Sequence, residues 1–184
     1  MSLKVYLSRL MPAPPSAPRY RILMICMGNI CRSPTAEAVL RHKLAAAGLA
    51  DRVEVDSAGT HAYHIGSPPD ERSQKHASLR GYDLAALRAR KINGQDFAAF
   101  DMLLAMDWDN LSILEDACPD DPELRRRLKR LTEFLPAGSP HAGAQVVPDP
   151  YYGGPAGFDM VLDLVEAACE GVVAHVRRVL ATTD

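Results

Sequence analysis

Residues 26–34 read CMGNICRSP, and within them Cys26 and Arg32 bracket five residues. A loop this short between a strand and a helix turns several backbone N–H groups inward. Those donors and the helix dipole together make an anion site. A thiol facing such a field is held more readily as the thiolate, the nucleophilic form. Arg32 can reach back over the loop and grip two oxygens of a phosphate side by side. The phosphorus would then lie in line above the Cys26 sulfur. Met27, Gly28, Asn29, Ile30 and Cys31 form the body of the loop. Gly28 is expected to turn the chain tightly at positive φ. Asn29 also tolerates left-handed geometry and can bond locally. Ser33 is expected to cap the following helix and to donate to the Cys26 sulfur. A C-x5-R spacing alone is common. Its weight here comes from the apolar run before it and the Ser33-Pro34 helix start after it.

A second candidate is Asp149, in the stiff segment Pro148-Asp149-Pro150-Tyr151-Tyr152. Two prolines restrict the backbone around a carboxyl on a loop. Read from the residues alone, Asp149 is either an acid held over the site or an ordinary turn aspartate. Asp107 closes an apolar run and is either a partner for Arg32 or the cap of the next helix.

The elements that must position these groups follow from periodicity. Residues 20–26 (YRILMIC) are a continuous apolar run, suited to a strand buried on both faces. Ala36, Val39, Leu40, Leu44 and Ala47 repeat at helical spacing, and Gly48 stops that helix. Strands are expected over 52–56 and 101–106, with a short one over 130–134. Asp70 is expected to cap a helix running to about Leu79 and ending at Gly81. Residues 110–118 and 122–129 read as helical, and 137–149 as a long loop. A long amphipathic helix through Phe158, Val161, Leu162, Val165, Cys169, Val172, Val176 and Val179 closes the chain. Strands alternating with helices imply an α/β fold: a doubly wound, four-stranded parallel sheet flanked by helices in three α/β/α layers. Ligands in such sheets sit at the carboxyl ends of strands, where Cys26 and Asp107 fall.

The chain of 184 residues is 47% apolar, enough for a buried core. We expect one domain over 20–184, preceded by a disordered Pro-rich tail over 1–19. A net charge of −2 gives no reason to expect nucleic acid or an anionic membrane as partner. Four cysteines without a CxxC pair fit a reduced, cytoplasmic protein. No run approaches the ~20 apolar residues that cross a bilayer. The six histidines form no ligand-spaced cluster, so neither metal nor other cofactor is expected.

The segment CMGNICRSP followed by Thr35-Ala36-Glu37 closely resembles the signature of the low-molecular-weight protein tyrosine phosphatases. DSAGT (56–60), IGSPPDER (65–72), RARKI (88–92), MDWDNL (106–111) and PDPYYG (148–153) follow in that family's order. The resemblance covers about residue 20 to the C-terminus. It implies a monomeric phosphatase acting on phosphotyrosine proteins or small aryl phosphates through a phosphocysteine on Cys26. Arg32 is then the phosphate clamp and Asp149 the general acid and base. It implies that Cys31 is a redox partner of Cys26, and that Tyr63, Tyr151 and Tyr152 line the mouth. Ser57 is implied to support the loop with Asn29 and Ser33. Where the family often has His, this chain has Leu87, so that network is expected to be shorter or completed by water. Two rivals stand beside this reading: an arsenate reductase on the same fold, which would pass electrons through further downstream cysteines, a role for which neither Cys118 nor Cys169 looks suited, and a non-catalytic anion-binding module.

Overall fold

The computed structural model describes residues 20–182, so the expected N-terminal tail lies outside the described residues. Four parallel strands form one sheet in the order β2-β1-β3-β4. They are β1 Tyr20–Cys26, β2 Val53–Gly59, β3 Met102–Ala105 and β4 Leu128–Arg130. Strand β1 is central and pairs in parallel with β2 on one side and β3 on the other. Chain order therefore reverses at β1, and the crevice beyond its carboxyl end is where such sheets bind ligands.

The helices are α1 Arg32–Ala46, α2 Glu71–Leu79, α3 Asp96–Ala99, α4 Trp108–Ala117, α5 Pro122–Arg126 and α6 Pro155–Ala181. Side chains of β1 alternate between two cores, as the pleat requires. Ile22, Met24 and Cys26 face Val39, Leu40 and Leu44 of α1 and Val165, Cys169 and Val172 of α6. Leu23 and Ile25 face Phe97, Phe100, Leu111, Leu114 and Leu128. This gives the three-layer α/β/α architecture expected from the sequence. Among the described residues no helix is long and apolar enough to cross a membrane.

Several local expectations need correction. Ser33 does not cap α1. Cys31 holds the cap position without a side-chain bond, and Ser33 lies fully buried inside the helix. Strand β2 runs on to Gly59, three residues past the expected end, because its register with β1 continues to the Cys26–Gly59 pair. The expected strand over 130–134 begins and ends earlier. Leu128 pairs with Leu103, and the Arg130 N–H then donates to the Glu133 carboxylate at 2.8 Å, closing residues Leu131–Phe134 into a 3-10 turn. Asp70 does cap its helix, accepting from the Arg72 N–H at 2.8 Å. Gly48 sits at φ +72° just past α1, as a helix stop requires.

Candidate active site

The β1–α1 loop wraps around the Cys26 sulfur. The Asn29 N–H points at Sγ from 3.3 Å, and the Ser33 hydroxyl lies 3.1 Å from it. Asn29 carries the left-handed turn at φ +55°. The expectation that Gly28 takes positive φ is not met, since the left-handed step is taken one residue later. Gly28 is small for another reason: a Cβ there would stand 3.0 Å from the His64 ring.

Buried polar groups then carry the loop's shape into the fold. The Asn29 amide donates to Ser33 Oγ and Ser57 Oγ, both at 2.9 Å. Its carbonyl oxygen accepts from the Arg90 N–H at 2.9 Å. The Ser57 hydroxyl in turn donates to the Glu37 carboxylate at 2.6 Å. Glu37 is 2% exposed, and Arg41, one turn further along α1, pairs with it at 2.6 Å. Burial pushes the Glu37 carboxyl above its usual range, and the bonds from Ser57 and Arg41 offset this only in part. Leu87 takes no part in this chain and packs against the apolar core. The network thus ends on Glu37 and Arg41. Close backbone contact completes the cradle. The Thr60 and His61 N–H groups donate to the Cys26 and Met27 carbonyls at 2.9 and 3.0 Å. A Cβ on Gly59 would lie 2.7 Å from the Met27 oxygen.

Arg32 is 2% exposed and spans two carboxylates. Its Nη1 donates to Asp107 Oδ2 at 2.5 Å and to the Val147 carbonyl at 3.2 Å. Its Nη2 donates to Asp149 Oδ2 at 2.8 Å. Burial works against the guanidinium charge, yet the Cys26 sulfur and the two carboxylates outweigh it, and Arg32 is held more firmly protonated than usual. Asp107 fills both positions left open by the sequence, since its other oxygen accepts from the Asn110 N–H at 2.7 Å and caps α4. Asp149 is fixed on both sides. Val147 N–H donates to Met106 O at 2.7 Å, and the Asp149 carboxylate accepts from the Tyr151 N–H at 3.0 Å.

Cys26, Met27, Gly28, Ile30, Cys31 and Arg32 floor a cavity of about 310 Å³, walled by Tyr63, His64, Asp149, Tyr151 and Tyr152. Tyr152 is almost wholly exposed at 96% and meets Tyr151 edge-to-face at 4.9 Å. Tyr63 stacks on His61 at 5.1 Å. Burial pushes the Cys31 thiol up to about 12, with a bond from Ser73 pulling the other way. Cys118 and Cys169 are buried in the two opposite cores and neither lines the cavity. Sequence reasoning missed His64 and gave Glu37 no role in the network. His64 lies in an irregular turn with no periodicity to betray it. Glu37 left one signal, a carboxylate on the buried face of α1 one turn after Ser33.

A doubly wound sheet with a C-x5-R loop at its switch point, and an aspartate facing the arginine, defines a phosphate-handling α/β enzyme. Residues 21–181 match the model of the low molecular weight phosphotyrosine protein phosphatase family. A low molecular weight protein-tyrosine-phosphatase of Streptomyces coelicolor is 40% identical, the match covering 86% of this chain and 94% of the relative. The human low molecular weight phosphotyrosine protein phosphatase is 35% identical over 80% of this chain and 90% of its own. The crystal structure of a protein tyrosine phosphatase from Entamoeba histolytica, with Hepes in the active site, superposes with a TM-score of 0.81 at 37% identity, covering 86% of this chain and 97% of that one. The chain belongs to the low molecular weight phosphotyrosine protein phosphatase family and is a hydrolase of that kind.

Proposed function

We propose that this phosphatase hydrolyses phosphotyrosine and aryl phosphates in two steps, with Cys26 as nucleophile, Arg32 as phosphate clamp and Asp149 as general acid and base. The observation that carries the reading is the single cavity shared by the Cys26 sulfur, the Arg32 fork and the Asp149 carboxyl. Cys26 Sγ attacks phosphorus, the P–O bond to the phenol breaks, and Asp149 protonates the departing oxygen. Water then attacks the phosphocysteine. Asp149 takes its proton, and the Cys26 thiolate leaves toward the Ser33 hydroxyl. The transition state is loose, so catalysis rests on placing charge around the transferring group.

Of the two carboxylates on Arg32, Asp107 caps a helix and its side chain is 22% exposed, while that of Asp149 is 42% exposed. The Asp149 bond is therefore the exchangeable one. A phosphate oxygen takes its place on Nη2 and frees the carboxyl to face the leaving group. Tyr63, Tyr151 and Tyr152 offer ring faces to the substrate's aromatic ring, worth about 0.5–1.5 kcal/mol per pair beyond area. Neither Cys118 nor Cys169 reaches the cavity, which favours this reading over a thiol-relay reductase.

The test is turnover of phenyl phosphate by wild type, Cys26→Ser and Asp149→Ala. Wild type turns over, Cys26→Ser is inactive, and Asp149→Ala is slowed by about 10²–10⁴-fold. An inert wild type, or an unimpaired Asp149→Ala, would sink the mechanism.

A further inference from the structure

Asp149 lies between two anchors. On the inner side Val147 is fully buried and bonded to Met106. On the outer side the partner is Arg72, near the start of α2. Its Nη1 donates to the Tyr151 carbonyl at 3.0 Å, two residues beyond Asp149. The guanidinium carbon also stands 5.4 Å over the Tyr151 ring and 4.9 Å over that of Phe158 on α6. The rest of the guanidinium is spent on one residue. Nε and Nη2 grip the two oxygens of Asp70 at 3.0 and 2.8 Å. These bonds, with burial opposing them, draw the Asp70 carboxyl below its usual range. The backbone N–H of Asp70 in turn donates to the Ile30 carbonyl, inside the Cys26 loop, at 2.8 Å.

A continuous strap thus runs from Ile30 through Asp70 and Arg72 to Tyr151. It joins the loop that holds the thiol to the loop that holds the acid, and it touches neither the cavity floor nor its walls except at those two ends. Resting on the general-acid assignment above, we propose that Arg72 is a positioning residue for proton donation: the Asp70–Arg72 strap fixes the height of the Asp149 carboxyl over the phosphocysteine-forming site. A planar fork suits this task. It can hold a carboxylate bidentately and still direct a third N–H at a carbonyl, which an ammonium cannot do in one geometry. Small misplacements of a reacting group are costly in rate.

The role predicts a dependence on leaving group. A phenolate that departs poorly needs the proton, and one that departs well does not. The readout is kcat/KM, which covers the steps up to phosphocysteine formation, for phenyl phosphate and for 2,4-dinitrophenyl phosphate. In Arg72→Ala, kcat/KM for phenyl phosphate falls about 10-fold, a part of what full loss of the acid costs, while the dinitrophenyl ester changes less than about 2-fold. In an Asp149→Ala background, Arg72→Ala alters phenyl phosphate turnover by less than about 2-fold, because the group it positions is gone. Equal losses on both esters, no loss on either, or full additivity with Asp149→Ala each overturn the strap. If Asp149→Ala alone slows both esters equally, the acid assignment itself fails and the strap falls with it. Arg72→Ala is then not needed to tell the two failures apart.

Discussion

Replacing Asn29 by alanine tests whether the cradle is held by its buried amide. The side chain makes three hydrogen bonds, to Ser33, Ser57 and the Arg90 N–H, all at 2.9 Å. Each is worth about 0.5–1.5 kcal/mol net. Asn29 also sits at φ +55°, where a residue with a Cβ and no local side-chain bond loses about 1–2 kcal/mol. Together Asn29→Ala is expected to destabilise the fold by about 3–5 kcal/mol, a large part of the ~5–15 kcal/mol that holds a domain folded. With a urea slope of about 1–3 kcal/mol/M, the midpoint falls by about 2 M at unchanged slope. Asn29→Gly loses the same bonds but fits the left-handed turn, so it recovers about 1 kcal/mol of the loss. The assay is equilibrium urea unfolding of all three proteins. An Asn29→Ala unfolding free energy within about 1 kcal/mol of wild type would refute the cradle argument. A glycine variant less stable than the alanine one would refute its backbone half.

Two further outcomes follow from the buried groups. The Glu37 carboxyl is raised above its usual range in the folded chain, chiefly by burial, so the folded state binds that proton more tightly than the unfolded one. Its stabilising contribution is complete below the usual carboxylate range and is lost as pH rises through the folded value. Wild type should therefore lose stability relative to Glu37→Gln as pH rises above the usual carboxylate value of about 4, and a flat difference in urea midpoints above it would contradict the assignment. Cys31 lines the same cavity as Cys26. Under the redox role expected of Cys31, peroxide would oxidise the Cys26 thiol to the sulfenic acid, and attack by the Cys31 sulfur would expel water and leave a disulfide that dithiothreitol reopens. Wild type then regains activity after peroxide and dithiothreitol, whereas Cys31→Ser goes on to the sulfinic acid and stays inactive. Equal recovery of the two would rule out a protective role for Cys31.

Much of this architecture was legible because it is local. The apolar run YRILMIC, the Asp70 cap and the Gly48 stop each write their element into a few neighbouring residues, and the C-x5-R loop lies between two of them. The misreadings were of another kind. Gly28 looked like the turn residue, but Asn29 takes the left-handed conformation because its amide is bonded to Ser33 and Ser57, and Ser57 lies in a different strand. Strand β4 began and ended earlier than its β-rich text suggested because pairing with Leu103 and the Glu133 turn decide it. The Glu37–Arg41 end of the network, the His64 wall and the Arg72 strap are tertiary relations. No window of sequence contains both of the loops that the strap joins, at Ile30 and at Tyr151. Leu87, where the resemblance led one to look for His, packs against the apolar core, and only the fold shows the network ending on a carboxylate and an arginine of α1, Glu37 and Arg41.

The bond between Arg32 and Asp149 joins residues 117 positions apart. During synthesis at about 5–20 residues per second, the cysteine loop leaves the ribosome roughly 6–23 s before the aspartate loop that closes over it. Strand β3, which completes the central pairing of β1, and helix α6, which covers one face of the sheet, also arrive in that interval or after it. A nascent chain therefore carries its thiol and its arginine before it owns the Asp149 loop or a finished core. The order of the gene keeps the cysteine loop and the aspartate loop that meets its arginine apart in time.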